Sequence, residues 1–85
     1  MELTQSDYNT QSSRHRVFEI AGVNAVSVWQ PPSVSNRSLW GEPRIRTYAV
    51  KLVDMEHADL FKDALKLAGE LFEKWSEDTN KEITE

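Results

Sequence analysis

Guanidinium and aromatic side chains crowd into one short stretch of the chain: Arg37, Trp40, Arg44, Arg46 and Tyr48. A guanidinium presents a planar fork of donors that grips carboxylate or phosphate, and an indole or phenol ring offers a face on which a cation or another ring can stack. Such a group can receive an acidic peptide or stack on nucleic-acid bases. These five residues are therefore the candidate partner-binding site. The competing reading puts Trp40 and Tyr48 in a core and leaves the arginines in solvent.

Little else in the chain could do chemistry. His15 and His57 are the only histidines, there is no cysteine, and no H-x-x-x-H pair, G-x-S-x-G elbow, P-loop or Rossmann glycine pattern occurs. The expectation is a chain with no catalytic residues, no cofactor and no metal site. His57 could ligate a metal with Asp54 or Glu56, but it reads as an ordinary surface histidine. Pro31-Pro32 could offer a polyproline segment to an aromatic groove; lacking a P-x-x-P frame, the pair reads instead as a strand terminator.

The elements that must position these residues follow from periodicity. From Arg44 the pattern is a strand, with Tyr48, Val50 and Leu52 alternating against Thr47, Ala49 and Lys51. After Asp54 the period changes, and Ala58, Phe61, Ala64, Leu65, Ala68, Phe72 and Trp75 recur at helical spacing. Asp54 is placed to N-cap this helix, with Val53 and Ala58 as a hydrophobic staple. Upstream, His15 to Ile20 and Ala25 to Gln30 read as a hairpin across Ala21-Gly22-Val23-Asn24. In its second strand Val26 and Val28 share one face, while Ala25, Ser27 and Trp29 take the other. Residues 31–43 have loop composition. Residues 1–14 are polar and lack an apolar period, so they read as a disordered arm, and 77–85 as a frayed acidic tail.

Composition narrows the class. Eighty-five residues make one small domain, here 15–76, whose stability rests on few side chains, so a protein partner or homodimer would help it. The absence of cysteine removes the staples of small secreted domains, and no stretch reads as a signal or a membrane span. The expectation is a soluble intracellular protein, cytoplasmic or nuclear. The net charge of −4 hides a segregation. Before residue 50 five arginines face four acids; after it five lysines face ten. Arginine suits fixed contacts and lysine among glutamates usually solvates a helix, which favours the strand region as the binding face. Overall acidity argues against nucleic acid, whose affinity is largely charge neutralisation.

The run from Tyr48 to Phe61, Tyr-Ala-Val-Lys-Leu-Val-Asp-Met-Glu-His-Ala-Asp-Leu-Phe, resembles the last strand and C-terminal helix of the pleckstrin-homology-like superfold, with Ala58 and Phe61 three apart. Ran-binding domains are the nearer likeness and EVH1 domains the more distant, and Val28-Trp29-Gln30 is similar to an aromatic strand preceding that unit in Ran-binding domains. The similarity spans about Val17 to Trp75. A complete domain of this kind has seven strands before its helix, and this chain has room for about three. What the resemblance implies is a protein-binding scaffold, truncated or completed by a partner, with no catalytic residue.

The sequence therefore predicts an α+β fold: a small antiparallel sheet of about three strands packed on one long C-terminal helix. Its expected function is a non-catalytic protein–protein interaction module. The alternative is a small nucleic-acid-binding or regulatory factor using the Arg/Trp surface.

Overall fold

The computed structural model describes residues 2–10, 12–33 and 40–84, with side chains described as far as Thr79. Four strands, β1 (Leu3–Asp7), β2 (Arg14–Ile20), β3 (Val23–Gln30) and β4 (Arg44–Thr47), precede one helix, α1 (Met55–Thr84). The strands form a single antiparallel meander in the order β1-β2-β3-β4. The α+β architecture is the expected one.

Two boundaries differ from the sequence reading. Residues 3–7, expected in a disordered arm, pair along their whole length with β2, Leu3 opposite Ile20 and Asp7 opposite Arg16. An edge strand needs a partner on one side only, so β1 can be polar and still be held by its ladder and by Leu3 against the core. Side chains add to it. Arg16 donates to both oxygens of Asp7, at 2.7 and 3.2 Å, and Ser6 donates to Glu19 at 2.7 Å. The Arg16 bond holds the Asp7 carboxyl below its ordinary pKa. At the other end, residues 77–84 continue the helix rather than fraying as a tail.

The β2–β3 connection turns on two residues, Ala21 and Gly22, both at positive φ (52° and 78°). This is the backbone of the tight hairpin turns whose twist matches the strands, and glycine adopts it without a Cβ penalty. A register shift follows at once. Phe18 lies opposite Val26 but Glu19 opposite Asn24, so β3 carries an extra residue at Ala25. Consecutive residues Ala25 and Val26 are consequently both buried in the core.

The core lies between one sheet face and α1. Phe18, Ile20, Val26 and Val28 meet Ala64, Ala68 and Trp75, with Leu60, Phe61, Leu67, Leu71 and Phe72 partly buried around them. Two alanines at the centre of the helix face let α1 approach the sheet closely. Asp54 caps the helix as expected, its Oδ1 accepting the His57 backbone N–H at 2.8 Å. Val53 does not staple; it is 62% exposed. The helix has 30 residues, about 45 Å at 1.5 Å per residue, and so outruns strands of four to eight residues. The molecule measures 47 × 20 × 17 Å.

A polar clamp closes the end of the core. Gln30, fully buried, accepts from Arg14 Nε at 2.6 Å and offers Nε2 to Thr79 Oγ1 at 2.7 Å, Gly41 O at 2.9 Å and Trp75 O at 3.2 Å. It joins β2, β3, the segment before β4 and the last turns of α1. The Arg14 guanidinium lies between two indoles, 4.7 Å from the Trp40 ring and 4.5 Å from the Trp75 ring, and also donates to Asp78 at 3.1 Å.

Candidate functional site

Because α1 covers one sheet face, the other is free to meet a partner. Strand alternation sends His15 and Val17 of β2, Ser27 and Trp29 of β3, and Arg44 and Arg46 of β4 to this open face, where register sets His15 beside Trp29, Trp29 beside Arg44, and Ser27 beside Arg46. Tyr48, just past β4, is tied to β3 by its backbone N–H on Ala25 O at 2.9 Å, and its hydroxyl lies 3.4 Å from Ser27 Oγ. His15, Ser27, Trp29, Arg44, Arg46 and Tyr48, with Ile45, line a half-open groove of about 460 Å³.

Charge on the two faces is handled differently. Arg14 and Arg16, on the helix side, are each paired with a carboxylate. Arg44 and Arg46 meet no carboxylate among the described residues. Arg44 lies over the Trp29 ring at 5.9 Å and Arg46 over the Tyr48 ring at 5.0 Å. A guanidinium on a ring face keeps its in-plane N–H donors available, so each is oriented for an anion without being neutralised. Ser27, lining the groove between the larger side chains, is only 2% exposed. The site thus has a small polar floor, aromatic walls and unspent positive charge.

Of the five residues singled out in the sequence, the structure brings Arg44, Arg46 and Tyr48 together. Trp40 stands elsewhere, against Arg14 on the helix side, with its backbone bridged to Pro32. Arg37 lies outside the described residues. Trp29, Ser27 and His15 complete the groove instead, and the signal for them was the shared face of Ser27 and Trp29 in β3. His57 is not a surface histidine: it is 9% exposed, and neither ring nitrogen has a partner among the described residues. Helical spacing places it one turn before Phe61 and two before Ala64, on the core side of α1. Among the described residues no group of three or more His, Cys, Asp or Glu side chains could hold a metal ion, and no helix is long and apolar enough to cross a membrane.

No protein-family model, curated protein or solved structure matches this chain.

Proposed function

We propose that the chain is a non-catalytic protein-binding module that receives a carboxylate-bearing segment of a protein partner on the open face of its sheet. The observation that carries this reading is the pair of un-neutralised guanidiniums, Arg44 and Arg46, held over Trp29 and Tyr48 at the groove wall. Arginine and tryptophan are the residues whose truncation most often costs interface affinity, and a single guanidinium can grip a carboxylate with two parallel bonds. The acids of the helix lie on the opposite side of the sheet, so they do not cancel this charge locally. A partial scaffold of the pleckstrin-homology-like kind, with its C-terminal helix closing one sheet face, fits the same reading.

A second reading rests on the same rings: an open sheet face with Trp29, Tyr48 and His15 beside two arginines could stack single-stranded nucleic acid. Salt separates the two. Fluorescence anisotropy with a labelled glutamate- and aspartate-rich peptide, and in parallel with a labelled oligothymidine, should show binding of the peptide. Arg44→Glu with Arg46→Glu should weaken it by at least about 2 kcal/mol while leaving the far-UV spectrum unchanged. Tight oligonucleotide binding that falls steeply with salt would favour the second reading. Peptide binding indifferent to both arginine changes would exclude the groove as the site.

A further inference from the structure

The edge beyond β4 is unfinished. Tyr48 bonds inward to Ala25, so by strand alternation the N–H and C=O groups of Ile45 and Thr47 point outward, and they have no partner among the described residues. Residues 49–53 follow outside any strand and make no hydrogen bond among the described residues. Their composition is that of a strand. Yet only four residues, Arg44–Thr47, are paired; Val50 packs against the core, while Leu52 is 50% exposed and Val53 62%, with Ile45 in the paired segment at 42%. The opposite edge, β1, carries the polar side chains Thr4, Gln5, Ser6 and Asp7 and has no comparable apolar row.

We infer that residues 44–54 are the self-association edge of this protein, pairing antiparallel with the same segment of a second copy. The sequence of the segment is complementary to its own reverse. A two-fold axis at Ala49 sets Arg44 opposite Asp54 of the second copy, Ile45 opposite Val53, Arg46 opposite Leu52, and Thr47 opposite Lys51. Each end of the ladder gains an opposite-charge pair, the exposed apolar residues meet one another or an arginine stem, and the two copies of Lys51 stay apart. Asp54 keeps one carboxylate oxygen on the His57 N–H and has the other for Arg44. The two meanders become one eight-stranded sheet. Because the axis is perpendicular to the sheet, both open grooves fall on the same side, flanking the junction.

This inference rests on the reading of the chain as a protein-binding module; it uses the edge and, of the two groove guanidiniums, engages only Arg44, which leaves Arg46 to the partner, so the monomeric variant tests the groove separately. Sedimentation equilibrium of the full chain over a dilution series should show a mass twice the monomer's 9.8 kDa at the concentrated end. Thr47→Pro removes an outward N–H that the fold of one copy does not use, and should return the protein to monomer with its far-UV spectrum retained. Since the chain has no cysteine, Ala49→Cys places a single thiol at the axis, where paired Cα atoms about 5.5 Å apart suit a disulfide. Mild oxidation should cross-link that variant and leave Lys62→Cys, on the outer surface of α1, uncross-linked. A chain monomeric at every concentration, a dimer indifferent to Thr47→Pro, or equal cross-linking of the two cysteine variants would overturn the inference. Unchanged peptide binding by the Thr47→Pro monomer would leave the groove proposal standing.

Discussion

Replacing Gln30 with methionine tests the clamp that ties the sheet and the segment before β4 to the last turns of α1. The exchange nearly conserves length and volume but deletes every hydrogen bond of the amide. The Arg14 bond to Oε1 involves a charged donor and is worth about 1.5–3 kcal/mol, while neutral bonds contribute about 1 kcal/mol each. An amide NH₂ has two hydrogens, so at most two of its three nearby acceptors, Thr79 Oγ1, Gly41 O and Trp75 O, are fully served at once. Arg14 is partly exposed and keeps Asp78, so some of its loss is recovered by water. Thr79 keeps its own donation to Gly41 O or Trp75 O. The net cost is then about 3 kcal/mol, a large fraction of the stability of a domain this small. At roughly 4–8 °C per kcal/mol the melting temperature should fall by about 12–24 °C. Differential scanning calorimetry gives the shift, and limited proteolysis near Gly41 gives its location. A Gln30→Met protein that melts within about 3 °C of wild type, less than one such bond would give, would refute the reasoning.

Phe18→Ala, which empties the largest fully buried site, should cost about 3–5 kcal/mol by urea titration, whereas Lys66→Ala on the exposed side of α1 should cost little. Phe61→Ala should cost less than Phe18→Ala, because Phe61 is only partly buried. Trp40→Ala should destabilise the fold by about 1–2 kcal/mol in thermal melts, through loss of one face of the Arg14 sandwich, and leave peptide binding at the groove intact. The Asp7–Arg16 pair lowers the folded-state pKa of Asp7, so its stabilisation is full above the ordinary value of 3.8 and is lost as pH falls through the folded value. Both partners are well exposed, so the difference between wild type and Asp7→Asn should be at most about 0.5 kcal/mol at neutral pH and vanish in acid.

The helix was legible because its apolar face is long and its cap explicit: Ala64, Ala68 and Trp75 are buried and Asp54 caps as expected. The central hairpin was legible because alternation in Val26 and Val28 is strong. What escaped was held by hydrogen bonds rather than by apolar pattern. Thr79 is buried because its hydroxyl serves Trp75 O and Gln30, which hides the continuation of α1 from any hydrophobic count. β1 is polar because one of its edges and much of its surface face water. The strand period through Leu52 overshot, since β4 leaves its ladder after Thr47 and Val50 packs against the core. In the site, Arg44, Arg46 and Tyr48 were recognisable by type, but the choice between Trp29 and Trp40 depended on which side of the sheet α1 would occupy. Local sequence does not carry that.

The length of α1 relative to its sheet has a practical consequence for anyone handling the protein. A compact chain of 85 residues has a radius of gyration of about 12 Å; this one has 14.4 Å. A single copy therefore drags more solvent than its mass suggests and leaves a sizing column early, in the region where a globular protein of higher mass would emerge. Elution volume alone would mistake a lone copy for a pair, and a pair for something larger. Stoichiometry has to come from methods that weigh the particle, with shape read separately from its diffusion.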